Sequence, residues 1–227
     1  MDQNTDSYSY AGEVQQSFIQ RVYQWMAAGL ALSGFVAFWA SGHLGLMKAL
    51  AGGGFFVLML AELGLVFWLS ASVTKISAQA AVLGFMVYSL LNGLTLSFIF
   101  LVYTGASIAA TFFIAAASFA GVSLFGWATQ TDLTSIRGFL FMGLLGVILG
   151  SVANLFFHSS AFDWLLTYAG LGVFIGLTAY DTQEIKRIQQ SGSGSMEGLA
   201  ILGALRLYLD FINMFLLLLR LFGRRRS

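Results

Sequence analysis

Residues 199–222 read LAILGALRLYLDFINMFLLLLRLF. A helix that crosses a bilayer needs about 20 mostly apolar residues. This stretch supplies them, with Arg206, Asp210 and Arg220 as its only charges. Working back along the chain, similar stretches occupy 22–42, 50–73, 78–103, 107–128, 138–157 and 164–180. The breaks between them are short and polar, and the one at 104–106 holds no charge. The fold class expected is an all-α integral membrane protein with seven transmembrane helices.

Composition agrees. Of 227 residues, 58% are hydrophobic and 9% are charged, against about 25% charged in an average soluble domain. So few charges cannot cover a soluble protein of this size, so lipid is the solvent for most of the surface. The organisation expected is a polar cytoplasmic tail over 1–21, one seven-helix domain over 22–223 and a basic tail over 224–227. The net charge of +1 gives no electrostatic case for nucleic acid. The lack of cysteine excludes disulfides, thiolate metal sites and cysteine nucleophiles. The two histidines, His43 and His158, fall near span ends, which speaks against a histidine zinc site. With no proline and 26 glycines, helix kinks must come from glycine or from bulges.

The start of the chain has neither the basic residues nor the early apolar core of a secretory signal, so the first span is expected to remain. Residues 8–20 fit an amphipathic surface helix, with Tyr8, Tyr10, Val14 and Phe18 towards the headgroups, or a disordered tail. The Ser-Gly run within 189–197 reads as a flexible tether, with a regulatory loop as the other reading. Gly146 with Gly150, and Gly172 with Gly176, have the GxxxG spacing that lets helices approach closely. Packing within a monomer is favoured over a dimer face.

Orientation is not decided by charge. With seven spans and the N-terminus inside, Arg21, Lys75, Arg137, Lys186 and Arg187 are cytoplasmic. Lys48, Arg220, Arg224, Arg225 and Arg226 are then outside. The positive-inside rule is left with five on each side. A re-entrant last segment would move all but Lys48 inside. The length of 199–222 favours seven full spans.

A charge at membrane depth costs several kcal/mol, so each needs a reason. Glu62 lies midway along the second span, as a neutral packing residue or a functional one. Asp181 follows a charge-free stretch, and its helix should continue to Ile188, bringing Lys186 and Arg187 about 7–9 Å further along. Glu184 falls one turn later on a similar face. Asp210 is deeper, with no interface within two turns on its C-terminal side. Arg206 precedes it by one turn on the same face, and Asn213 adds a polar edge. If the last two spans are neighbours, a level difference of about 7 Å separates Asp181 from Asp210, which an uneven loop would close. Two carboxylates in a low-dielectric site cannot both ionise cheaply and share a proton. Protonated, such a pair bridges two helices. Deprotonated, it repels or accepts a hard cation such as Ca²⁺. No cofactor is expected beyond Ca²⁺ as a bound or transported ion, with Asp181 and Asp210 as its candidate ligands.

The stretches GLTAYDTQEIKRI (176–188) and ILGALRLYLDFINMFLLLLRLFG (201–223) resemble the Bax inhibitor-1 family, most nearly its bacterial YccA-like branch. LNGLTLSFIF (91–100) and the start of span one, from Arg21 to Trp25, also fit. The resemblance implies a central seventh helix wrapped by the other six. It also implies a pH-sensitive Ca²⁺ leak sensed by an aspartate pair, here Asp181 and Asp210, with Glu62 as the second-span glutamate. It places the chain in the bacterial inner membrane. Some relatives carry an arginine near the end of the second span that engages the sixth-helix aspartate. Here residues 70–75 read SASVTK, which leaves Lys75 or Arg206 for that role.

Other readings compete. An intramembrane aspartyl protease would use Tyr180 and Asp181, but Leu207 to Asp210 is too bulky for its second motif, so no enzyme is expected. A retinal receptor lacks its last-helix lysine. The alternative that stands is a membrane interaction protein that modulates a membrane protease or a survival pathway without transport.

Overall fold

The structure is a computed structural model. It describes residues 3–73, 75–190 and 195–226, with side chains described over 16–73, 75–188 and 195–226. The middle of the Ser-Gly tether, the side chains of Tyr8, Tyr10 and Val14, and the last residue of the basic tail lie outside them.

A bilayer offers the backbone no water, so an apolar segment must satisfy its own N–H and C=O groups, and it does so as a helix. Among the described residues, seven segments are long and apolar enough to cross: Gln16–Ser41, Leu44–Ser72, Ala78–Val102, Gly105–Ala128, Leu133–Phe157, Ser160–Ile188 and Met196–Phe222. They match the seven expected spans, including the continuation past Asp181.

The first span is the end of α1 (Gln3–Ser41). Phe18 is 1% exposed and Val22 fully buried. With Met26 they form a stripe at one-turn spacing that packs into protein, so Phe18 does not face the headgroups as expected. The second span joins α2 (Leu44–Ala49) to α3 (Phe55–Ser72) through a π-helical turn at Leu50–Gly54. Gly53 there has φ 116°, a conformation open to glycine but strained for other residues. The expected glycine kink is therefore present. The third span breaks between α4 (Ala78–Leu96) and α5 (Ile99–Val102), and this break holds no glycine. Ser97 sits there, with its hydroxyl 2.5 Å from the Leu94 carbonyl. The remaining spans are α6 (Gly105–Ala128), α7 (Arg137–Phe157) with a 3-10 turn before it, α8 (Ser160–Gln190) and α9 (Met196–Phe222).

The chain divides into two compact units. One is Met1–Val102 with Ile185–Tyr208, and the other is Tyr103–Glu184 with Leu209–Ser227. In the first, α1 and α4 lie against each other at two glycines. A Cβ on Gly29 would sit 2.6 Å from the Phe85 ring, and one on Gly93 2.7 Å from the Ser33 carbonyl oxygen. The pairs keep a nearly constant offset in residue number, so the helices run parallel, as alternate spans must.

In the second unit α7 and α8 interlock. Gly143 faces Val173, Gly150 faces Leu166, and Gly176 faces Leu140. The two numbers of each pair add to the same total, the signature of antiparallel neighbours. Of each expected GxxxG pair, only the second glycine is used: at Gly146 and Gly172 a Cβ would meet nothing within 4 Å.

The ends of α9 meet different partners. Within the first unit, Glu197 binds Arg21 at the start of span one, and Gly198 lies against the Val73 carbonyl at the end of span two. Within the second, Arg220 pairs with Asp163 at the start of span six. Beside it, Arg224 N–H donates to Ser107 Oγ at 2.8 Å, and Thr104 N–H donates to the Arg224 carbonyl at 3.0 Å. The partners of its first turn start an odd-numbered span and those of its last turn an even-numbered one, the pattern expected of the seven-span reading rather than of a re-entrant last segment.

Candidate functional site

Asp210 is 4% exposed. The helix around it is held by rings: Phe211 packs edge-on against Phe112 and Phe119 of α6, and Phe215 against Phe112. A carboxyl group in such a setting is costly unless it is neutral, paired or functional. Asn213, one turn on, donates back to the Leu209 carbonyl at 2.7 Å.

Asp181 is half-buried on α8 in the same unit as Asp210. The turn that carries it is fixed by the residues that follow. Thr182 Oγ1 lies 2.9 Å from Ser123 Oγ of α6. Gln183 donates to the Thr131 carbonyl and accepts from Leu133 N–H, both at 2.9 Å. The α6 and α8 backbones touch nearby, since a Cβ on Gly126 would collide with the Ala179 carbonyl. Glu184 is half-buried one turn beyond Asp181. Arg206 is half-buried on α9, and Lys75 is exposed in the linker between the second and third spans.

Glu62 belongs to a separate, continuous polar chain in the first unit. Its carboxylate accepts from Thr95 Oγ1 and, at 3.2 Å, from Asn92 Nδ2. Tyr208 donates to Asn92 Oδ1 at 2.8 Å. Ser33 Oγ lies 2.6 Å from the Tyr208 hydroxyl, 2.7 Å from the Ser89 carbonyl and 2.9 Å from the Gly29 carbonyl. Tyr208 is fully buried, with Phe85 and Tyr88 edge-on to its ring. Four spans therefore meet through side-chain oxygens and one amide, two residues before Asp210.

At the start of α9, Glu197 accepts from Arg21 Nη1 at 2.7 Å and from Trp25 Nε1 at 2.5 Å. These groups line a cleft of about 420 Å³ with Gln24 and Ala28. Among the described residues, no three His, Cys, Asp or Glu side chains gather as a metal site.

Residues 15–227 match the family described as Inhibitor of apoptosis-promoting Bax1. The chain belongs to the Bax inhibitor-1 family. It is 47% identical over 217 residues to the inner membrane protein YbhL of Escherichia coli strain K12, an alignment that covers 93% of each chain. An uncharacterised protein of Borreliella burgdorferi is 39% identical over 94% of each. An uncharacterised membrane protein of Streptococcus pyogenes serotype M1 is 42% identical over 72% of this chain and 71% of its own length.

For this Bax inhibitor-1 family member, reasoning from charge singled out Glu62, Asp181 and Asp210 and did not reach the polar chain of Ser33, Asn92, Thr95 and Tyr208. Their signal was present but quiet: an Asn, a Thr and a Tyr inside otherwise apolar spans. Nothing in the sequence says which face of its helix each occupies. The Glu197 clamp was missed because Arg21 and Trp25 lie far away along the chain.

Proposed function

We propose that the protein is a pH-sensitive cation leak of the bacterial inner membrane, passing Ca²⁺ and gated by Asp181 and Asp210, and that it is not an enzyme. The observation that supports this most is Asp210, a carboxyl group 4% exposed within a membrane-spanning helix. Burial there makes its protonation sensitive to anything that approaches. Asp181, half-buried on α8 in the same unit, is the second member of the gate. A shared proton holds the two helices together. Loss of that proton leaves adjacent negative charge, which separates them or is met by a cation. The remaining ligands of a passing Ca²⁺ would be hydroxyls, carbonyls or water. Membership of the Bax inhibitor-1 family supports the same reading.

The sign follows from the chemistry. The protonated pair is the closed latch, so flux rises as pH rises through the titration of the pair. The test is Ca²⁺ flux into liposomes that hold the purified protein, measured between about pH 6 and 8. Wild type is expected to leak more at the upper end. Asp210→Asn cannot ionise and is expected to lose the pH response. Absence of flux at every pH would reject the leak. A normal pH profile in D210N would reject the paired-carboxylate gate.

A further inference from the structure

We propose that Asn92, Tyr208 and Ser33 form a reversible hydrogen-bond relay that reports the protonation state of Glu62 to the last helix. The inference rests on the proton-gated reading above only for what the relay serves; the relay itself follows from counting protons.

Tyr208 and Ser33 each have one hydroxyl proton, and Asn92 has a donor end and an acceptor end. With Glu62 ionised, the carboxylate only accepts. Thr95 donates to one oxygen and Asn92 Nδ2 to the other. Asn92 Oδ1 then faces Tyr208 and takes its proton. The Tyr208 oxygen is left to accept from Ser33 at 2.6 Å. Every donor points towards Glu62.

A proton on Glu62 Oε2 reverses this order. The carboxyl group must now donate, so Asn92 has to turn its amide and present Oδ1. Its Nδ2 then faces Tyr208, whose oxygen accepts. Tyr208 passes its own proton towards Ser33 Oγ. Ser33 passes its proton to the Ser89 carbonyl at 2.7 Å or the Gly29 carbonyl at 2.9 Å. The second arrangement satisfies every group as fully as the first, and it ends on backbone. Ser33 makes it possible, because its hydroxyl has acceptors on both sides. Gly29 and Gly93 let α1 and α4 approach closely beside Ser33.

Among the described residues, the titratable groups that face Glu62 are Tyr88 of α4 and Tyr208 of α9, both buried. Neither is charged at neutral pH, so Glu62 sets the local charge. Tyr208 is a positioning residue, two positions before Asp210 on the same helix. A change in its bonding is delivered to the element that bears the gate.

Infrared difference spectroscopy of the purified protein after a pH step tests this without any ion flux. The carboxylic C=O band of Glu62 and the C–O band of Tyr208 are expected to change together, with one midpoint. Tyr208→Phe keeps the ring packing and identifies the tyrosine band by its loss. Glu62→Gln is expected to remove both changes. Asn92→Leu is expected to leave the Glu62 band titrating while Tyr208 falls silent. The relay is overturned by a Glu62 band that does not titrate, or that titrates while Tyr208 stays unchanged. It is also overturned by a Tyr208 response that survives in E62Q or N92L. A protonation confined to the oxygen facing Thr95 gives the silent-tyrosine result in wild type. If N92L fails to fold, E62Q and Y208F alone decide. A leak that is absent while the two bands stay coupled rejects the proposed function and keeps the relay; a pH-gated leak with a silent Tyr208 does the reverse.

Discussion

Gly172 and Gly176 show what residue spacing says and what it leaves out. The sequence presents them as equals, one turn apart. In the fold, Gly176 receives the Leu140 side chain and Gly172 receives nothing within 4 Å. Spacing puts two small residues on one helix face; only the neighbouring helix decides which of them is covered. Opposite signs follow. Gly176→Ala pushes a methyl group into Leu140, and Gly126→Ala into the Ala179 backbone carbonyl. Overpacking of this kind costs about 1–3 kcal/mol, or roughly 2–4 °C of Tm per kcal/mol for a chain of this length. Gly146→Ala and Gly172→Ala meet open space and gain helix propensity of up to about 1 kcal/mol. Thermal unfolding in one detergent should lower Tm for the first two variants and leave it unchanged or raised for the others. The depth of Asp210 was legible in the same sense, since a carboxylate far from any interface can only be deep. Tyr208 and Asn92 were not legible, because an uncharged polar residue in an apolar run has too many innocent explanations.

Helix ends carry a different kind of information. The sequence places Arg220 and Glu197 at opposite ends of α9 but gives neither a partner. Both partners are distant in the chain, Asp163 and Arg21, so only the fold could supply them. The two clamps should differ in strength. Arg220 and Asp163 are about two-fifths exposed, and solvent leaves such a pair worth less than about 1 kcal/mol. Glu197 is a quarter exposed and holds two donors, one of them the Trp25 indole. Its loss strands an indole N–H and frees the start of α9, which costs more than a lost surface pair. Glu197→Ala is therefore expected to lower Tm by more than Arg220→Gln, whose loss should cost less than about 4 °C. Equal effects would mean that the Trp25 bond adds nothing to the clamp. The kink in span two belongs to this scale as well. Without proline, span two bends where glycine allows it, at Gly53. The break at Ser97 had no comparable signal, because serine in a helix usually bonds back without interrupting it.

At the scale of the molecule, hydrophobic length alone gave seven crossings, while charge could not orient them. Basic residues tie across the two sides if every span is complete, and the rule that reads them is a bias of short loops. The contacts of α9 favour full crossings. Its first turn joins the start of span one and its last turn joins the start of span six, the pairing expected if all seven spans are complete. With the N-terminus cytoplasmic, the basic run of Arg224, Arg225 and Arg226 then lies on the far side, against the usual bias. A membrane-impermeant maleimide can check this directly, because the chain has no cysteine of its own. Arg226→Cys and Lys48→Cys are expected to label from outside intact spheroplasts. Lys75→Cys should label only after the membrane is opened. A re-entrant last segment would group Cys at 226 with Cys at 75, and an inverted molecule would exchange the two sets. Only the predicted pattern is compatible with Glu197 and Arg220 capping opposite ends of one spanning helix while the start of the chain faces the cytoplasm.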